Sequence, residues 1–259
     1  AFYNCTALEK IDFSNCKVIT LDAEVFAGCV SLKEVVNMTN IGTMNDRAFY
    51  GCKSLERVDA TGLHICGESV FENCTSVNEL ITGAYTAIGK RAFYGCKSLK
   101  TLTINNSAVS DSAFENCIGL ESVDFVNALS AEKDNLFTIG ARAFRGCNSL
   151  TTVTFSFGGT ASVIGDKAFA NCRDLQEFTL PEGLTNLGDS VFENSPVTIK
   201  TAASGSFTVD AHGTVYNGTK LMLAPKKITA GFEIAAGTTE IAPYAFSGCA
   251  FADGKILTV

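Results

Sequence analysis

The sequence has no apolar run approaching the ~18–20 residues that a membrane-crossing helix needs, so this segment is not expected to insert into a membrane. It has no basic block either: 20 Lys and Arg stand against 27 Asp and Glu, for a net charge of −7. Non-specific nucleic-acid binding draws on clustered cations that release counterions, so nucleic acid is not expected as a partner. Only two histidines are present, His64 and His212. Neither has a Cys or His at ligand spacing, and no C-x-x-C pair occurs, which argues against zinc. The G-x-S-x-G elbow, the P-loop and the dinucleotide fingerprint are all missing. No nucleophile, base or metal set stands at recognisable spacing, so neither an enzyme nor a cofactor is expected. The chain opens at Ala1 with no signal-like segment, and that start falls inside a repeat; it reads as part of a longer or processed protein.

What is present is a repeat. Hydrophobic residues make up 46% and charged residues 18%, a globular composition. The string Ala/Val-Phe-x-Asn/Gly-Cys recurs with its Phe at Phe2, Phe26, Phe49, Phe71, Phe93, Phe114, Phe144, Phe169, Phe192 and Phe246. The period is near 23 residues, with longer gaps before Phe144 and Phe246. The residue before Phe is always Ala or Val, small enough for neighbouring coils to approach. Two residues after Phe stands only Asn or Gly, from Asn4 and Gly28 to Asn194 and Gly248. Both tolerate positive φ, so this column predicts a left-handed cap that ends a short helical turn.

Cys follows in nine copies and Ser195 in one. Aliphatic columns lie five residues before Phe, as in Leu21, Ile88 and Ile164, and three and six after Cys, as in Leu99 and Leu102. Positions six and eight after Cys alternate with polar residues, as in a half-buried strand. One unit is therefore expected to be a short strand, a turn, a short helix and a return. A lone unit of this size cannot offset its own ordering entropy, so the units must stack.

The pattern Leu-x-x-Val-x-Ile, then Ile-Gly-x-x-Ala-Phe-x-x-Cys, resembles the BspA-like leucine-rich repeat, also called the Treponema pallidum type. Ile88–Cys96 and Ile164–Cys172 are clear matches. The resemblance implies an α/β right-handed solenoid, with a parallel sheet on the concave face and short helices or turns on the convex face. It also implies a secreted or cell-surface protein of a host-associated microbe that binds host matrix or serum proteins or other cells. The organisation expected is a single repeat domain over 1–259, with repeats about 1–195 and 228–259. A β-hairpin insertion about 196–227 is expected around Asn217-Gly218. A polar bulge is expected at 131–135, a turn at Gly158-Gly159 and a final strand at 255–259.

Eleven cysteines in an extracellular protein invite a disulfide reading. The periodicity opposes it, because one repeat position points the same way in every coil and makes poor bridge geometry. A ladder of free buried thiols is expected, with Cys66 in the aliphatic column; Cys16 has no repeat role. Five N-x-S/T sequons start at Asn4, Asn37, Asn73, Asn105 and Asn217 and are read as incidental. On the helical side, Tyr3, Tyr50 and Tyr94 share the position after Phe, and ring packing over the next coil is the simplest account.

The candidate binding face is the concave sheet, at the positions five and seven after Cys: Lys10, Asp12, Glu34, Arg57, Asp59, Glu79, Thr101, Thr103, Ser122, Asp124, Thr152, Thr154 and Glu177. It is charged at one end, rich in Thr and Ser in the middle, and free of aromatics. The function expected is non-catalytic adhesion or protein binding. The alternative is a spacer array that displays another domain and has no ligand of its own.

Overall fold

The computed structural model describes residues 1–17, 19–83, 87–105, 108–126, 137–156, 162–201, 205–229 and 231–251. The expected bulge at 131–135, the Gly158-Gly159 turn and the strand at 255–259 lie outside the described residues, as does most of the sequon that starts at Asn105.

Successive coils contribute to two parallel strand ladders. In the first, Lys10–Asp12 pairs with Glu34–Val36, and Arg57–Ala60 pairs with Glu79–Thr82. Thr101–Asn105, Ser122–Val126 and Thr152–Ser156 form a three-stranded group, and Glu177–Leu180 pairs with Thr198–Thr201. The second ladder is centred on the aliphatic column before Phe. Ile19–Leu21, Ile41–Met44, Ile65–Cys66 and Ala87–Ile88 lead through bridges at Val109 to Phe137–Ile139, Ser162–Ile164 and Leu184–Leu187. Register follows the repeat, with Leu102 beside Val123 and Val123 beside Val153. The parallel ladder extends to Thr201, so the expected boundary at 195–196 falls before its last strand.

The short helices expected on the other side do not form. Among the described residues the single helical element is one 3₁₀ turn, Met38–Asn40, and the Phe segments are successive turns. The backbone bonding explains why. The N–H groups of Ser112, Phe114 and Asn116 cross to the next coil, at Ala141 O, Ala143 O and Arg145 O, over 2.8–2.9 Å. The alternate N–H groups of Ala113, Glu115 and Cys117 close three-residue turns onto Ser110, Ser112 and Phe114. A helix needs all of its N–H groups for its own carbonyls, and here every second one is committed to the neighbour.

This alternation requires two left-handed residues per turn. One is the Asn/Gly column: Asn4, Asn73, Asn116, Asn171 and Asn194 lie at φ 56–62°, and Gly146 at φ 76°. Gly146 is doubly required, because a Cβ there would stand 2.5 Å from Asn116 Oδ1 of the preceding coil. The other is two residues before Phe and carries no compositional signature. Glu24, Arg47, Ser69, Arg91, Ser112, Arg142, Lys167, Ser190 and Tyr244 all adopt φ between 53° and 60°. Each costs about 1–2 kcal/mol in an L-residue, a cost offset by the bonds to the next coil.

Inside, the repeat Phe rings form one stack from Phe2 to Phe192, with neighbouring centroids 5.1–5.9 Å apart and planes within 18°. Phe49, Phe71, Phe114, Phe144, Phe169 and Phe192 are fully buried. All cysteines in the described structure are free thiols; Cys29, Cys52, Cys66, Cys74, Cys96, Cys117, Cys147 and Cys172 are buried and Cys16 is exposed. The repeat thiols are hydrogen-bond donors. Cys117 Sγ donates to Phe93 O of the preceding coil at 3.2 Å, and Cys52, Cys74, Cys147 and Cys172 make the equivalent bond. Ser195 keeps it with Oγ at 2.7 Å from Phe169 O, so a hydroxyl is an acceptable substitute.

After Thr201 the pattern changes. Phe207–Val209 pairs antiparallel with Val215–Asn217 across the turn at 210–214, and Val215–Asn217 with Lys220–Leu223 across the Asn217-Gly218 turn. Lys220–Leu223 then pairs in parallel with Glu240–Ile241. Ala224 N–H donates to Ala245 O at 2.8 Å, the bond made by the Phe in the earlier coils. The long gap before Phe246 thus contains a coil whose Phe position is held by Ala224.

Two outcomes follow. Phe93→Ala should cost about 3–5 kcal/mol in urea unfolding, as truncation of a buried ring does; stability equal to wild type would refute the stack. Burial pushes the thiols up, to about 12 for Cys66, Cys117 and Cys172 and well above the ordinary range for Cys74, Cys96 and Cys147. The unfolded thiol releases its proton near pH 8.5, whereas the folded one holds it. Stability is therefore full below that pH and is lost as pH rises towards 12, at about 1.4 kcal/mol per pH unit for each buried thiol. Thermal melts between pH 8 and pH 11 test this, and a flat Tm would contradict it.

Candidate functional site

The first ladder has one face inward and one outward. Val58, Leu80, Leu102, Val123 and Phe178 point into the core, and the residues on either side of them point out. All thirteen candidate positions stand in these outward rows, and parallel register aligns them. Lys10 lies beside Glu34, Arg57 beside Glu79, and Thr101, Ser122 and Thr152 form one row. Thr103, Asp124 and Thr154 form the row beside it.

Much of the charge on this face is answered within the face. Lys10 and Glu34 pair at 2.9 Å, Arg57 reaches Glu79 at 3.2 Å, and Glu177 reaches Lys200 at 2.8 Å. Such exposed pairs contribute little to stability. Asp12 and Asp59 have a local task. Asp59 Oδ1 accepts Thr61 N–H at 3.2 Å and Thr61 Oγ at 2.7 Å, and Asp12 accepts the N–H and hydroxyl of Ser14. Each aspartate folds back on the residue two further on and turns the chain at the end of its strand. Burial alone would raise Asp59, but the Thr61 bonds and Arg57 outweigh it and hold it below the usual range. The Ser14 hydroxyl does the same for Asp12. These two residues are strand terminators first.

The middle of the face is different. Thr101, Thr103, Thr152, Thr154 and Thr179 expose hydroxyls, and Asp124 Oδ1 collects Thr154 Oγ at 2.6 Å and Ser156 Oγ at 3.1 Å. A cleft of about 600 Å³ opens beside them between Thr152–Ser156 and Glu177–Leu180, lined by Thr154, Ser156, Thr179 and Glu182 among others. The central stretch is thus a hydroxyl-rich, hydrogen-bonding surface whose charge comes from Asp124 and from Glu182 at the cleft.

On the turn side the tyrosine column is used as a platform. The Arg47 guanidinium lies over the Tyr50 ring at 4.5 Å, and that of Arg91 over Tyr94 at 3.9 Å. Sequence reasoning gave no role to two carboxylates in this column, one of which, Glu72, it read only as an interruption of the tyrosines. Glu72 and Glu115 are buried. Glu72 accepts Arg91 Nη at 2.6 Å, Arg91 Nε at 3.0 Å and Ser69 Oγ at 2.7 Å, and Glu115 accepts Arg145 at 2.6 Å. Burial would raise Glu72, but Arg91 and Ser69 overcome it and keep its carboxyl below the usual range. The signal that could have found them is Ser three residues before Glu, in Ser69/Glu72 and again in Ser112/Glu115.

His64 and His212 are both exposed and lie in separate connecting turns. Among the described residues no group of three His, Cys, Asp or Glu is placed to hold a metal ion. No helix of the described residues is long and apolar enough to cross a membrane.

Repeated coils, two parallel ladders and a stacked Phe core define a leucine-rich repeat solenoid. A model of the BspA-type leucine-rich repeat region matches residues 1–121, 80–198 and 137–221, with six copies, and the chain belongs to this family. A search of curated protein sequences finds no match. A leucine-rich repeat protein from Eubacterium ventriosum superposes with a TM-score of 0.51 at 23% identity, over 81% of this chain and 48% of its own. The chain thus spans about half the length of that relative. The pneumococcal vaccine antigen PcpA superposes at 0.46 with 15% identity, over 94% of this chain and 53% of its own. The T. pallidum leucine-rich repeat protein superposes at 0.38 with 20% identity, over 68% of each chain. Proteins of this family are typically secreted or surface-exposed and generally not enzymes, and leucine-rich repeats typically mediate protein–protein interaction.

The division of labour on the face is testable by urea unfolding. Asp59→Ala should cost about 1 kcal/mol through the lost turn bonds, whereas Glu34→Ala should stay within about 0.5 kcal/mol. Equal effects would remove the distinction.

Proposed function

We propose that this chain is a non-enzymatic protein-binding module of a secreted or cell-surface protein, and that it engages its partner through the outward strand face. The observation that carries the reading is the central patch of that face. Thr101, Thr103, Ser122, Thr152 and Thr154 are held in fixed register by parallel pairing, so they form an ordered set of donors and acceptors. A surface already ordered loses little entropy on association, and many modest contacts then suffice. The family's usual role supports the same reading. The charged rows at Lys10–Glu79 flank the patch and would affect the on-rate and salt dependence more than the affinity.

Reversing Asp59 would disturb the Thr61 turn, so the test belongs on exposed residues without such a task. A panel of matrix and serum proteins, screened by surface plasmon resonance, should yield a saturable partner. Thr103→Arg with Thr152→Arg should then weaken binding tenfold or more at unchanged Tm. No partner for folded protein, or binding indifferent to these changes, would favour the spacer reading.

A further inference from the structure

Up to Thr201 the joints between successive coils are of two kinds. Some are hydrogen-bonded along the first ladder: Lys10–Asp12 with Glu34–Val36, Arg57–Ala60 with Glu79–Thr82, the three strands from Thr101–Asn105 to Thr152–Ser156, and Glu177–Leu180 with Thr198–Thr201. Each of these groups also has outward side chains bonded across it: Lys10 to Glu34, Arg57 to Glu79, Lys100 to Glu121, Thr154 to Asp124, and Lys200 to Glu177. The joints after Glu34–Val36, Glu79–Thr82 and Thr152–Ser156 have no ladder bond between the strands that face each other.

Two of these joints are closed by other means. Between the Phe26 and Phe49 coils, Arg47 reaches Glu24 at 3.2 Å, and the Thr39 carbonyl stands so near Gly62 that a Cβ there would be 2.0 Å away. Between the Phe71 and Phe93 coils, Arg91 pairs with the buried Glu72 at 2.6 Å, and Thr82 Oγ donates to Thr103 O at 2.8 Å. The third joint, between the Phe144 and Phe169 coils, has no ion pair across it among the described residues. Arg145 turns back to Glu115, and Lys167 turns forward to Glu193. The cleft of about 600 Å³ opens at this joint. Val153 and Phe155 line it and are half-buried, whereas Val123 and Phe125, beside them in register, are buried.

The other sides of the same joint are intact. The N–H groups of Arg142, Phe144 and Gly146 donate to Asp166 O, Ala168 O and Ala170 O, all at 2.8 Å, and ahead of the strands Asp174 N–H reaches Asn148 O at 3.1 Å. Phe137–Ile139 pairs with Ser162–Ile164, and Phe144 stacks on Phe169 at 5.3 Å. The strands themselves are linked by the edge-to-face contact of Phe155 with Phe178 at 5.7 Å. Apolar ring contact tolerates a change of angle that a directional hydrogen-bond ladder does not. A joint bonded along its turn side and packed by apolar contact along its strand side can rotate about the bonded side.

We propose that this joint is a hinge: the coils from Phe2 to Phe144 and the coils of Phe169 and Phe192 move as two blocks about the turn side, and the strand face opens and closes between Thr154 and Thr179. The hydroxyl patch from Thr101 to Thr154 lies on one block, and Glu177 alone of the candidate face residues lies on the other. A partner that touches both blocks must fix the hinge, and one that touches the patch alone need not. The inference rests on the lateral bonds, so it is independent of whether the face binds a protein.

The test measures distances by pulsed electron–electron resonance between nitroxides attached to p-acetylphenylalanine. One protein carries the labels in place of Thr101 and Lys200, the other in place of Lys10 and Thr101. Each pair spans four joints, and the first pair alone spans the hinge. Its distance distribution should be about twice as wide as that of the second. Thr154→Cys joined to Thr179→Cys by a short bismaleimide, with Cys5→Ser, Cys16→Ser and Cys249→Ser, should narrow the first distribution to the width of the second. Equal widths in the two proteins, or a width that the cross-link leaves unchanged, would each overturn the proposal.

Discussion

Everything in this array depends on what one carbonyl does. From Phe2 to Phe144 the oxygen of each repeat Phe accepts the Cys N–H of its own coil and the Cys thiol of the next; Phe93 O receives Cys96 N and Cys117 Sγ, both at 3.2 Å. The first bond closes the turn, and the second fixes the coil above it. Ring stacking at 5.1–5.9 Å is compatible with this spacing, and so are the backbone bonds that leave from every second N–H. Local closure and lateral pairing therefore share one atom. That sharing explains why Ser195 can stand at the Cys position, and why the buried thiols are donors to a carbonyl instead of pairing with one another.

The columns that face the interior were legible in the sequence because they obey composition rules. Phe, the small residue before it, Cys and the aliphatic positions can be read from residue type, as can the alternation that turns Thr101 and Thr103 outward. Arg47, Arg91 and Tyr244 were not legible as left-handed residues, since their side chains do not favour that conformation. The lateral bonds impose it from outside the local sequence. The same cause removed the expected helices. Asp59 was read as a face residue although Thr61 stands two positions on, and Glu72 was read only as a break in the tyrosine column, without its Arg91 partner. Both have partners that turn geometry or the next coil supplies, and a single repeat column does not show those. Ala224 escaped because its coil lacks the Phe that marks the others.

The two surfaces divide by chemistry. The strand face is broad, ordered and mostly self-neutralised, with hydroxyls at its centre and aspartates committed to ending strands. The turn side buries its carboxylates under guanidinium groups, which leaves the Arg47/Tyr50 and Arg91/Tyr94 stacks half-covered. Burying paired charge is rarely a net gain in stability, and its better-attested effect is to fix register, here the order in which coils follow one another. A family defined by its scaffold leaves the partner to be chosen by a few outward residues.

The 30-residue spacing between Phe114 and Phe144 has a further consequence. That spacing exceeds the usual repeat, yet the turn-side bonds from Phe114 to Ala143 and from Asn116 to Arg145 keep their 2.8 Å lengths. The extra length falls in sequence between Ser122–Val126 of the first ladder and Phe137–Ile139 of the second, and both strands keep their parallel partners. The repeat is thus built like a ratchet with one open tooth: the Phe segment keeps its bonds and its length, while the stretch after the first strand has taken up the added residues. Tandem copying can lengthen such a molecule, and insertion at that one position can give each coil its own loop without altering the pitch of the rest.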